Sequence, residues 1–175
     1  SYHYSRTLIE ASLDPLVTIN AIGKITDVNE ASIKVTGIGR DQIIGTDFSQ
    51  YFTEPLKAKS AYLQVFDKGF VSNFPLTIKH LNGRLTEVLY NASIYKDENG
   101  VTLGVFASAR DITEQKLLFN YSLSLIEASR DPLFVISPSG RITDLNQATA
   151  KITELSRVEI IGSDFSEYFT DPEMA

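Results

Sequence analysis

Residues 4–13 carry apolar Leu8, Ile9 and Ala11 at helical spacing, which predicts a helix with one apolar side. Asp14-Pro15 ends it, because proline pushes the preceding residue out of the helical region. The β-branched run at 16–19 predicts a strand, Ala21-Ile22-Gly23 a turn, and the alternation at 24–28 its hairpin partner. Asn29 is placed to cap a short helix containing Ala31, Ile33 and Val35. Gly37 and Gly39 interrupt that helix, and residues 41–44 and 47–52 read as single helical turns around Gly45. Residues 56–67 form a longer amphipathic helix with Leu56, Leu63 and Phe66 as the expected inward positions, capped by Gly69.

Three strands follow. Phe74, Leu76 and Ile78 alternate with Pro75, Thr77 and Lys79. Leu81-Asn82-Gly83 is a hairpin turn, because Asn-Gly tolerates positive φ. Residues 85–95 are β-rich, 97–100 turn, and 101–109 form the last strand. This order predicts an α+β fold, with helices on one face of a five-stranded antiparallel sheet.

The pattern then repeats. The segment from Tyr4 to Pro55 recurs without a gap from Tyr121 to Pro172, an offset of 117 residues (121 − 4). Roughly 30 of about 52 positions are identical, far above chance. Solenoid repeats run about 20–50 residues, so this period marks a duplicated domain. The second copy reaches only the midpoint of the repeat. Ser1 in place of Met leads us to expect a piece of something longer.

Composition narrows the function classes. Apolar residues make up 43% and charged residues 22%, which is the globular range. A net charge of −6 argues against nucleic acid as a partner. The chain has no cysteine, which excludes disulfides, thiolate metal sites and thiol nucleophiles. It fits a reducing, cytoplasmic setting. No apolar run reaches the ~18 residues a membrane span needs, so no membrane contact is expected within these residues.

The element order, together with LIEASLDPLVTIN, DVNEA, IIGTDF, NASIYKDENG and GVFASARDITEQ, resembles the PAS/PAC sensory-box family. The resemblance implies a tandem PAS fragment of a bacterial-type signalling sensor. Its parts would be an N-terminal linker helix at 1–13, a PAS domain at 14–111, a linker helix at 112–129 and a truncated second PAS domain at 130–175. It implies sensing of a small molecule or relay of a signal to an output outside these residues, such as a histidine kinase or a cyclic-dinucleotide enzyme. The alternative is a ligand-free PAS module for dimerisation and protein–protein interaction. It makes Arg110, Asp111, Ile112 and Thr113 the signal-transmission junction. Chemically, Asp111 or Thr113 can cap the following helix, and Glu114 adds negative charge to its first turn.

In the resembling family a cofactor often lies between the sheet and the long helix. Haem-binding members place an axial histidine on that helix, and residues 56–67 contain none; His3 precedes the domain and His80 sits at a hairpin end. Covalent flavin and p-coumarate chromophores need a cysteine that is absent. Non-covalent flavin stays open, although the lack of Trp weighs against it. By resemblance the ligand-facing residues are Val17, Ile19, Val88, Tyr90, Ala92, Phe106 and Ser108, with Phe66 as their cover and Tyr90 and Ser108 as the polar tips. Ligand sites are mostly apolar with few placed polar groups; a packed core with no cavity is the competing expectation.

No triad, metal-spaced cluster or phosphate loop appears in the sequence, so no enzymatic activity is expected within it. Asp97, Glu98 and Asn99 read as a turn, and Asp111 with Glu114 as a helix start. Residues 112–129 lack Gly and Pro, and Leu118, Tyr121, Leu125 and Ala128 repeat at coiled-coil spacing, which predicts a homodimer seam. The second copy supplies strands only at 133–136 and 141–145. An isolated hairpin is marginal, so something is expected to cover Phe134 and Ile136.

Overall fold

The computed structural model describes residues 2–175, with side chains from Ser5 onward; Ser1 and the His3 side chain lie outside the described residues. The chain divides into two compact units, Ser1–Glu114 and Gln115–Ala175.

The first unit runs α1 (Tyr2–Ala11), β1 (Leu16–Asn20), β2 (Ile25–Val28), α2 (Glu30–Thr36) and α3 (Arg40–Ile43). A 3-10 turn (Phe48–Tyr51), α4 (Pro55–Lys68), β3 (Phe70–Lys79), β4 (Leu85–Lys96) and β5 (Thr102–Asp111) follow. The strands form one antiparallel five-stranded sheet in the order β2-β1-β5-β4-β3. Pro75, which has no amide to donate, lies in the edge strand β3, where that loss is tolerated. At the sheet centre β5 approaches β1 so closely that a Cβ on Gly104 would fall 2.0 Å from the Ile19 carbonyl oxygen.

The core is the inner sheet face under α2, α3, α4 and the 3-10 turn, with Ile19, Val65, Val88, Tyr90, Val105 and Ala107 among its buried residues. Helix α4 presents Ala58, Ala61, Tyr62 and Val65 to it. This corrects the expected face: Leu56 and Leu63 are 82% and 63% exposed. Positions 58, 61, 62 and 65 form one helical stripe, and small alanines in it let the helix sit close to the sheet. Phe66 lies on the flank of that stripe, partly buried. Of the three apolar residues expected on the inner side of α1, Ile9 is half-buried, whereas Leu8 and Ala11 are exposed.

Strand β3 begins at Phe70, earlier than the alternation suggested. A bulge between Val71 and Phe74, with Asn73 at φ 51, breaks the period there.

Helix α5 (Thr113–Ala128) follows β5, and all but its first two residues belong to the second unit. That unit continues with β6 (Phe134–Ile136), β7 (Ile142–Leu145), α6 (Gln147–Thr153) and α7 (Arg157–Ile160), then 3-10 turns at Phe165–Tyr168 and Pro172–Met174. Its sheet has two strands. Ile142, Leu145 and Ile160 form its core; Phe134 packs partly against them, and Ile136 is 38% exposed.

Candidate ligand cavity and signalling junction

Strands β1 and β4 place Ile19 and Tyr90 on the inner sheet face. Helices α2 and α3 and the 3-10 turn set Val35, Ile43 and Phe48 over them. Between these layers is a cavity of about 60 Å³. Its walls are almost wholly hydrocarbon and aromatic. Polar groups at the walls are already engaged: the Ser32 hydroxyl donates to the Leu16 carbonyl at 2.8 Å, and the Thr36 hydroxyl to the Ser32 carbonyl at 2.8 Å. Tyr51 and Thr46 hydroxyls meet at 2.6 Å.

Tyr90 is the exception. It is 2% exposed and lines the cavity. Its hydroxyl is the buried side-chain polar atom without a partner among the described residues. Burial, followed by the neighbouring Tyr62, pushes its pKa far above the usual tyrosine value, so the group is a neutral donor. Leaving such a hydroxyl unpaired costs on the order of 1–3 kcal/mol. Tyr62 covers the region from α4: its hydroxyl donates to the Asn20 carbonyl at 2.6 Å, and its ring meets Phe66 and Phe48, each at 5.0 Å.

Of the residues singled out from the sequence, Val17, Ile19, Tyr90 and Ser108 border the cavity. Val88 and Ala92 are buried in the same core, beyond its walls. The inward assignment of Phe106 is corrected: it is 36% exposed and pairs with Thr18; Ser108 lies in the same row of β5, opposite Leu16 and Asn91, half-buried at the margin of the cavity. The inner row of β5 is Val105, Ala107 and Ala109. A bulge at Tyr95/Lys96 adds one residue to β5, and one residue flips every side chain to the other face. Sequence reading missed Ile43, Phe48 and Phe52, which sit on short turns with too few residues to show a period. His80 lies at the hairpin end as expected; it is partly buried, its ring over Gly37, and its Nδ1 accepts from the Asn82 amide at 3.0 Å.

At the far end of β5, Arg110 and Asp111 are its last two residues. Ile112 is buried, and its amide donates to the Glu87 carbonyl at 3.1 Å. The Asp111 carboxylate accepts the Thr113 amide at 2.9 Å, capping α5, whose first turn carries Glu114. Leu118, Tyr121, Leu125 and Ala128 are exposed on α5. Among the described residues no group of His, Asp or Glu is arranged to hold a metal ion, and no helix is long and apolar enough to cross a membrane.

The sequence pattern of the PAS domain matches residues 13–114, more than half of the chain. The chain belongs to the PAS domain family. Residues 123–175 match the pattern described as PAS fold. Phytochrome C of Arabidopsis thaliana is 23% identical over 170 residues; the match covers 88% of this chain and 15% of that protein. The PAS domain of a Colwellia psychrerythraea protein superposes with a TM-score of 0.57 at 20% identity, over 65% of this chain and 98% of that one. A domain of a sensory box sensor histidine kinase/response regulator from Geobacter sulfurreducens gives 0.52 at 23% identity, over 63% of this chain and 93% of that one. As a member of the PAS domain family, the chain is a sensory, signal-transduction module.

Proposed function

We propose that the first PAS domain senses a small neutral molecule in the cavity at Tyr90 and passes its occupancy through β5 and Asp111 into α5. The observation that carries this reading is the unpartnered Tyr90 hydroxyl, buried and bordering an apolar cavity. A ligand with one hydrogen-bonding group would satisfy it, and the hydrocarbon walls would bind the rest. Charge on the ligand is disfavoured, because no ionised side chain lines the cavity to compensate its desolvation. Ligand contact with Tyr90 bears on β4, which pairs with β5 as far as Asp111. In this reading the unit is not an enzyme. It acts as one of two tandem PAS copies, on an output that other residues of a signalling protein supply.

A second reading, dimerisation and relay without a ligand, is favoured by two observations. The cavity of about 60 Å³ is well below the ~300–1,000 Å³ of drug-sized sites. Leu118, Tyr121 and Leu125 are exposed along α5 at coiled-coil spacing. Native mass spectrometry of the purified chain, with an absorbance scan, separates the two. A stoichiometric small molecule supports sensing. A bare chain that dimerises with concentration supports relay and sinks the sensing reading.

A further inference from the structure

Each copy grips the helix that precedes it, and both use the same side chains. In the first copy Arg40 lies between two carboxylates, with Nη2 2.7 Å from Glu10 Oε1 and Nη1 2.9 Å from Asp27 Oδ1. Glu10 is in the last turn of α1, and Asp27 is in β2. Arg6 pairs with the same two carboxylates. The second oxygen of Glu10 accepts the amide of Glu30, the first residue of α2, at 3.0 Å. Asn29 donates to the Ile9 carbonyl at 3.1 Å and the Asp14 carbonyl at 2.9 Å.

The second copy repeats the arrangement 117 residues later. Arg157 meets Glu127 at 3.0 Å and Asp144 at 2.5 Å. Glu127 accepts the Gln147 amide at 2.9 Å. Asn146 donates to the Ile126 carbonyl at 3.0 Å and the Asp131 carbonyl at 2.9 Å.

We propose that Asp27, Asn29 and Arg40, and their counterparts Asp144, Asn146 and Arg157, form a docking site for the last turn of the preceding helix. Two features of that turn are read. One is the carbonyl of Ile9 or Ile126, which accepts the Ser12 or Ser129 amide in the tightened last turn and also takes the asparagine amide. The other is the glutamate, whose carboxylate caps the next helix while the arginine fork ties it to the β2 or β7 aspartate. The two acidic groups would repel each other without the guanidinium between them. The exposed alanine that follows each glutamate makes no such contact and is not part of what is read.

The consequence lies in α5. Its first turn is capped by Asp111 and its last turn is docked by Asn146 and Arg157. One continuous helix therefore carries the exit of the first PAS domain and the recognition segment of the second copy. Docking or release of Ile126-Glu127 is the step by which the second copy receives a signal. This holds whether or not the cavity takes a ligand.

The test is amide hydrogen exchange on the whole chain carrying Arg157→Met, Glu127→Gln or both. Each single variant is expected to speed exchange in residues 123–128 about threefold. The double variant is expected to be no faster than the quicker single one, because both remove the same contact. Unchanged exchange, or additive effects, would overturn the proposal. Acceleration spreading equally through β7 would mean that the second unit had unfolded. Arg6→Met with Arg40→Met, which removes both guanidiniums from Glu10 and Asp27, then decides: faster exchange confined to residues 5–11 supports docking, and unchanged exchange there overturns it.

Discussion

The rings of Phe52 and Tyr90 meet edge to face, with centroids 6.4 Å apart and an interplanar angle of 88°. This contact helps hold the Tyr90 ring in the core while its hydroxyl finds no protein partner. Tyr90→Phe keeps the ring and removes the hydroxyl. In ligand-free protein, urea unfolding should show stability raised by about 1 kcal/mol with an unchanged m-value. In protein carrying its ligand the sign should reverse. A destabilised ligand-free variant would mean that the hydroxyl has a partner after all.

Gly104→Ala should destabilise the first unit by about 3 kcal/mol or more, because the new methyl meets the Ile19 carbonyl at 2.0 Å. Gly45→Ala is the control: it also sits at positive φ, 85°, but in open space. It should cost only the left-handed backbone penalty, about 1–2 kcal/mol. Equal melting temperatures for the two variants would show that β5 can draw back from β1.

Asp47 caps the 3-10 turn, and its pKa is held below the usual aspartate value, chiefly by the Ser49 hydroxyl at 2.6 Å, against the opposing effect of burial. The Ser49 amide, Lys59 and Lys24 act in the same lowering direction as the hydroxyl. A lowered native pKa gives stability that is present above the unfolded value and is lost as pH falls through the native one. Asp47→Asn lacks that dependence. The stability gap between wild type and variant should be largest at neutral pH and close as pH drops through the aspartate range. A gap constant with pH would remove Asp47 from the account.

We propose that the exposed Leu118 and Leu125 of α5 form a homodimer seam, so that Leu118→Glu with Leu125→Glu should raise the dissociation constant about tenfold or more in sedimentation equilibrium. An unchanged profile would place any self-association elsewhere.

Amides of β6 and β7 should exchange faster than those of β1 and β5. The second unit has a two-stranded sheet over three buried apolar residues, whereas β1 and β5 lie inside a five-stranded sheet. Equal protection would show that another surface covers the β6 edge.

Much of this fold was legible because its signals are local. Asn29 and Gly69 mark helix ends through capping chemistry and occupy the caps expected of them, and Gly37, expected to interrupt α2, is its C-cap. The α4 face was misread because size was taken for burial, while Ala58 and Ala61 do the close packing and Leu56 faces out. Phe106 was placed inward by family resemblance, and the bulge in β5 turns it to the other face. The docking site left a trace that was read only in part. Glu10, Asp27, Asn29 and Arg40 recur unchanged in the second copy, yet only the capping role of Asn29 follows from short-range rules. Their association spans 30 residues between Glu10 and Arg40 and needs the fold to appear.

The most direct test of ligand sensing is a high-resolution crystal structure of the purified chain, read at the Tyr90 hydroxyl. The account predicts density for a small organic molecule in the cavity, with an acceptor within about 3.2 Å of the Tyr90 oxygen. A cavity holding only water, or closed by a protein group bonded to Tyr90, would contradict it.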